Sequence, residues 1–315
     1  MTAVKQTIKT GAWIWPFPQI APQRWLTLGH QRLDHILDTA AEIPFDDTSK
    51  IVFFSDVHRS DKSDSDEFAP NQALFINALR HYYHHGFTYI ELGDGDDLWR
   101  TRRFSDIFRA YPDVFRLLHQ FKWQNRLHLI AGNHEIQGQQ YQRVQKGDLE
   151  TEAGLVLRHT QTGQRLFVVH GHQVDVWCDQ LSSFSRPAVG LIYWFLDLLG
   201  MKNGVVSASP SQTDGMIVQK LSQWYRNQQS KLTQQLIDWA RNKRQLLISG
   251  HTHLPMFAVD HREPYFNTGC CVNPGYITGI EIQNASITLV KWFVNGAQRY
   301  EQTLLAPARK LSLFA

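Results

Sequence analysis

The amino-acid sequence predicts an α/β protein, and two observations carry that prediction. From residue 51 onward, short apolar runs rich in β-branched and aromatic residues recur, and stretches of helical periodicity separate the first three of them. The composition is also that of a folded core, since 43% of the 315 residues are apolar and 19% charged, which excludes disordered and low-complexity classes. A net charge of +3 is too small to imply a long nucleic-acid partner. The three cysteines, two of them adjacent at Cys270 and Cys271, cannot form a disulfide framework, so a cytoplasmic location is expected. The longest apolar stretch, residues 191–201, contains Asp197 and falls short of the roughly 17–25 residues a spanning helix needs.

Each element follows in order. Residues 1–50 read as an N-terminal extension, Pro-interrupted at first and then helical over 23–41, with Trp25, Leu28, Leu33, Ile36 and Leu37 near one face. Strands are expected at 51–54, 87–92, 127–130, 165–169 and 245–248, all too short for helices. Helices fill 69–85 and 104–121. After residue 169 the pattern breaks into an apolar segment at 191–199 and a long polar helical segment at 213–243, together read as a helical cap insert over about 173–244. Further strands over 256–293, with turns at 261–264, 273–275 and 283–284, suggest a second or mixed sheet. Residues 296–315 form a C-terminal tail, which leaves 51–295 as the domain proper.

The chemistry sits immediately after the strands. Ile51–Phe54 runs into Asp56 and His58, 87–92 into Asp94 and Asp97, and 127–130 into Asn133, His134 and Glu135. The run 165–169 leads into His170 and His172, and 245–248 into His251 and His253. In an α/β sheet ligands bind in the crevice at the carboxyl ends of the strands, so these groups should converge. Carboxylate, amide and imidazole donors without thiolate suit Mn²⁺, Fe or Zn²⁺. In Asp56-x-His58 and His251-x-His253 the i, i+2 spacing puts both side chains on one face of an extended segment. Seven ligands exceed what one catalytic zinc takes and suit two metals sharing a carboxylate.

This ordered set, Asp56-x-His58, Gly93-Asp94-x-x-Asp97, Gly132-Asn133-His134-Glu135, His170 and Gly250-His251-x-His253, resembles the calcineurin-like metallophosphoesterase superfamily. The resemblance implies a four-layer αββα sandwich and a dinuclear site for two divalent metal ions, Mn²⁺ first, with Fe or Zn²⁺ as alternatives. It assigns Asp56, His58 and His253 to one metal, Asn133, His170 and His251 to the other, and Asp94 to a bridge. It further implies a bridging hydroxide attacking phosphorus in line, His134 as the general acid, and Asp97 orienting His134.

Arg59, directly after a candidate ligand, is expected to contact a substrate phosphate. The protein Ser/Thr phosphatases follow the second block with Asp-Arg-Gly, whereas Leu98-Trp99-Arg100 follows Asp97 here, so a small-molecule or lipid-linked phosphate is the expected substrate. The blocks and cap also resemble UDP-2,3-diacylglucosamine pyrophosphohydrolases, whose third block usually has Arg where His134 stands. A non-catalytic protein-binding scaffold on the same fold is a further alternative. Segment 191–199 is a candidate for peripheral membrane contact.

Overall fold

Alternation along the strands builds the layers. In β2 (Ile51–Phe54), Ile51 and Phe53 face one apolar cluster while Val52 and Phe54 face another; a strand apolar on both faces is buried on both. The computed structural model describes residues 22–135, 145–175, 216–258 and 263–314. Within them, one sheet runs in the order β13 (Tyr300–Leu304), β12 (Ser286–Val294), β11 (Tyr276–Gln283), β2, β3 (Thr88–Leu92), β4 (Leu127–Ile130), with β14 (Arg309–Lys310) on β12. The other runs β1 (Ala41–Phe45), β7 (Gly154–His159), β8 (Arg165–Val169), β9 (Leu246–Ser249), β10 (Tyr265–Asn267). A small hairpin joins β5 (Gln145–Lys146) to β6 (Leu149–Glu150).

The two sheets share a core of Phe53, Ile90, Leu92, Leu157, Leu166, Val168, Ile248 and Ile280. On the outer face of the first sheet lie α2 (Gln72–His84), α3 (Phe104–Ala110) and α4 (Pro112–Trp123). On the outer face of the second lie α1 (Pro22–Thr39) and α5 (Met216–Lys243), through Leu33, Ile36, Leu236 and Trp239. This is the αββα sandwich that the family resemblance implied. Strands β2, β3 and β4 are mutually parallel, as are β8 and β9, so all five ligand-bearing strand ends have parallel neighbours within their sheets.

Four expectations change. The helix expected over 104–121 is two, because Pro112 lacks an N–H and disfavours helical geometry at Tyr111, which sits at φ −123°, ψ 49°. The domain does not begin at 51: β1 pairs in parallel with β7 from Ala41 to Phe45, so the N-terminal extension supplies a strand and a layer helix. The tail after 295 is likewise structural, since β13 pairs with β12 from Tyr300 to Leu304. Finally, the C-terminal half of α5 is not a cap. Leu236, Ile237, Trp239 and Ala240 are buried against the second sheet, and Trp239 Nε1 donates to Asp34 Oδ1 on α1 at 2.9 Å. Segment 191–199 and most of the expected cap lie outside the described residues. Among the described residues no helix is long and apolar enough to cross a membrane.

Because Trp239 is only 1% exposed, Trp239→Ala should lower the unfolding free energy by about 3–5 kcal/mol, read from urea titrations. A detachable cap helix would give a change near zero.

Candidate metal centre

The candidate ligands are delivered by turns that start where the strands stop. Asp56 and His58 do not occupy the extended conformation expected from their i, i+2 spacing. Their φ values are 51° and 52°, and Asp94, His251 and His253 share this left-handed region at 50°, 67° and 57°. Such geometry costs a side-chain-bearing residue on the order of 1–3 kcal/mol and persists only where surrounding structure enforces it; Asp and His are among the residues that tolerate it best. Here hydrogen bonds from the backbone N–H groups enforce it, with Asp56 N donating to Gly93 O at 3.0 Å, His58 N to Asp94 O at 2.9 Å, and His251 N to the Asp56 carboxylate Oδ2 at 2.9 Å. Two glycines let the turns close. A Cβ on Gly93, at φ 80°, would lie 2.3 Å from His170 Nδ1, and one on Gly132 would lie 2.0 Å from Asp94 Oδ1.

The side chains converge in three groups whose potential ligand atoms lie within 4.8 Å of one another: Asp56, His58 and His253; Asp94, His170 and His251; and His58, Asp97 and His134. His253 Nε2 lies 3.2 Å from Asp56 Oδ1 and 3.2 Å from His58 Nε2, and His170 Nε2 lies 3.2 Å from Asp94 Oδ2. The first two groups face each other, since His58 Nε2 is 3.9 Å from Asp94 Oδ2 and His170 Nε2 is 4.0 Å from Asp56 Oδ1. Asn133 is buried beside them. Glu135, His172 and Arg59 do not join the groups.

The donor set fits divalent cations. Asn133 Oδ1 is buried yet makes no hydrogen bond, whereas buried polar atoms normally have partners, and the buried Asp56 Oδ1 and His170 Nε2 face only His253 and Asp94 of the centre itself, at 3.2 Å each. His170 Nδ1 donates to Leu92 O at 2.8 Å, which fixes the tautomer and frees Nε2 as a ligand atom. The electrostatics show the same crowding. Burial pushes the Asp56 carboxyl up, but the His253 and His170 charges outweigh it and hold the group at about 2. Burial and the neighbouring His134 and His253 lower His58 to about 4. Burial also disfavours a charged His170, yet Asp94 and Asp56 raise it to about 9.

His134 stands at the edge of this centre. Its Nδ1 lies 2.9 Å from Asp97 Oδ1, and its Nε2 lies 3.9 Å from Asp94 Oδ2. Burial opposes a proton on His134, and Asp94 and Asp97 together more than offset that, raising its pKa. Burial raises the Asp97 carboxyl, while His134 and then His58 bring it down to about 2. Two further neighbours were not legible in the sequence. Trp99 stacks on the His134 ring, and the Asp175 carboxylate lies 3.4 Å from His251 Nε2, a carboxylate–imidazole pairing that orients a metal-binding histidine.

Arg59 overturns its expectation as a substrate contact. It is fully buried, forks onto Glu91 through Nη1 at 2.7 Å and Nη2 at 2.6 Å, and donates through Nε to Asp96 Oδ1 at 2.7 Å. Lys146 from the β5–β6 hairpin lies 2.7 Å from Asp96 Oδ2 and also pairs with Glu135. Fully buried and with each guanidinium nitrogen turned onto Glu91 or Asp96, Arg59 has no face toward a substrate.

A model of the calcineurin-like phosphoesterase family matches residues 49–255, more than half of the chain. No curated protein matches. Among solved structures, vacuolar protein sorting 29 from Cryptosporidium parvum aligns at 9% identity and TM-score 0.41 over 83% of this chain and 98% of its own. The Chaetomium thermophilum counterpart aligns at 11% identity and TM-score 0.36 over 83% and 98%. The cold-active protein-tyrosine phosphatase of a psychrophilic Shewanella species aligns at 13% identity and TM-score 0.38 over 84% and 82%. Scores this low establish no shared function.

Two outcomes follow from the geometry. Metal-free His170 keeps its proton up to about pH 9 and must shed it to ligate. Mn²⁺ binding near neutral pH should therefore release protons, with affinity rising toward pH 9 and flattening above it; a calorimetric binding enthalpy that does not vary with the buffer's ionisation enthalpy contradicts this. Arg59→Met should cost about 3–5 kcal/mol of stability, because it leaves the buried Glu91 carboxylate without its cation and Asp96 with Lys146 alone. A substrate contact would instead raise KM and leave denaturant unfolding unchanged.

Proposed function

Because the chain belongs to the calcineurin-like phosphoesterase family, we propose that it is a dinuclear-metal-dependent hydrolase of phosphate esters, acting on a small-molecule or lipid-linked phosphate. The observation that carries this reading is the convergence of ligand-type atoms at one centre, where Asp56 Oδ1 and His170 Nε2 face only the imidazole and carboxylate of the centre itself and the buried Asn133 Oδ1 makes no hydrogen bond. Residues that served only the fold would have satisfied these atoms locally.

In this reading Asp56, His58 and His253 would hold one ion, Asn133, His170 and His251 would hold the other, and Asp94, which stands between the two groups, would serve both. Bound there, two divalent ions supply Lewis acidity, charge neutralisation and an acidified water for in-line displacement at phosphorus. The chain's own work concerns the proton of the leaving oxygen. Asp97 accepts from His134 Nδ1, which orients the ring so that Nε2 faces the centre. The neighbouring Asp94 and Asp97 carboxylates outweigh burial and favour the protonated ring, the form in which Nε2–H can be donated to the departing oxygen. The same centre argues against a purely scaffolding chain, which has no use for carboxylates and imidazoles crowded at one buried point.

With Mn²⁺, the protein should hydrolyse p-nitrophenyl phosphate or bis-p-nitrophenyl phosphate and lose activity to a chelator. His134→Ala should keep its metal while losing about 10²–10⁴-fold in kcat on substrates with poor leaving groups, and much less on those with good ones. Inactivity with every divalent metal tested would refute the hydrolase reading.

A further inference from the structure

We infer that Trp99 is a positioning residue for His134, holding the imidazole plane so that Nε2 aims at the leaving oxygen. The inference rests on the reading of His134 as the proton donor and adds what fixes its aim. The Asp97–Nδ1 hydrogen bond alone leaves the ring free to tilt about the bond axis. The Trp99 indole removes that freedom by lying nearly parallel to the ring, with centroids 4.2 Å apart at an interplanar angle of 17°. The His58 ring meets His134 edge-on, 4.6 Å away at 81°, and limits it from a second direction.

Trp99 is itself anchored on both sides of the acid. Its backbone N donates to Asp97 Oδ1 at 3.1 Å, the oxygen that pairs with His134, and its Nε1 donates to Asn133 O at 3.0 Å. One side chain thus ties the loop after β3 to the loop after β4 across the acid. The indole is only partly buried, so its removal spares the core. Stacked rings attract one another beyond the area they bury, which favours one ring orientation over the tilted ones. Proton transfer requires the donor within hydrogen-bond reach of the oxygen, and small misplacements cost rate steeply.

The test uses Trp99→Ala, Trp99→Phe, His134→Ala and the double variant Trp99→Ala/His134→Ala. Phenyl phosphate serves as the poor-leaving-group ester and 2,4-dinitrophenyl phosphate as the good one, both with Mn²⁺. Trp99→Ala should bind the same amount of metal and lose about tenfold in kcat on phenyl phosphate, with little loss on the dinitrophenyl ester. Trp99→Phe should recover most of that loss, and in the His134→Ala background Trp99→Ala should add almost nothing. Proton NMR of the metal-free protein gives a readout independent of activity. The His134 ring resonance, assigned by its absence in His134→Ala, should move downfield in Trp99→Ala as the indole ring current is lost.

An unmoved resonance overturns the inference whatever the kinetics, as does an equal loss on both esters or a full additional loss in the double variant. If His134→Ala loses equally on both esters while the resonance still moves, the general-acid role fails and the ring-holding role of Trp99 stands.

Discussion

The two-pronged pairing of Arg59 with Glu91, extended through Asp96 to Lys146 and Glu135, is the constraint on which the centre's geometry depends. Burying a charge costs several kcal/mol, and the cost is met only when each ion is closely paired and its remaining donors and acceptors are filled. That condition is satisfied here by residues from the loop after β2, the end of β3 and the loop beyond it, the loop after β4, and the β5–β6 hairpin. Glu135 completes it by accepting from the backbone N–H groups of Asp96 and Gly132 at 3.0 and 2.9 Å. Three ligand-bearing loops are thereby fastened to one another beneath the site, and Arg59 does this from the position next to His58.

The rigidity is needed because the centre opposes its own assembly. Two carboxylates and four imidazoles crowd within a few ångströms, and five candidate ligands hold left-handed backbone. Without cations the imidazoles can relieve the carboxylates only by keeping protons, as His170 does; divalent ions would replace those protons. The aromatic pair of Trp99 and His134 lies just outside this competition, where orientation rather than ligation is at stake.

Most of the secondary structure was legible because its signals are local. Runs such as Ile51–Phe54 are apolar on both faces, and such runs mark strands buried on both sides. The short pairings were less visible. β1 contains Pro44 and alternates poorly, and β13 is exposed along its whole length, so neither announces a strand without the neighbour that pairs with it. The long helix α5 misled in the same way. Its polar face is what a cap would show, and only its contact with Val156, Phe167 and Leu247 reveals a layer of the sandwich.

The sequence by itself determined which chemical groups would meet: carboxylates, an amide and imidazoles, each placed just after a strand, in a fixed order. It could do so because strand ends are defined by a few adjacent residues, and the carboxyl edge of a sheet gathers whatever follows them. Tertiary structure decided where each group points. Arg59 turned inward because Glu91 and Asp96 lie 32 and 37 positions away in the chain yet directly beneath it. His134 acquired its plane from Trp99, and His251 its orientation from Asp175, through contacts between loops that no local pattern of residues encodes.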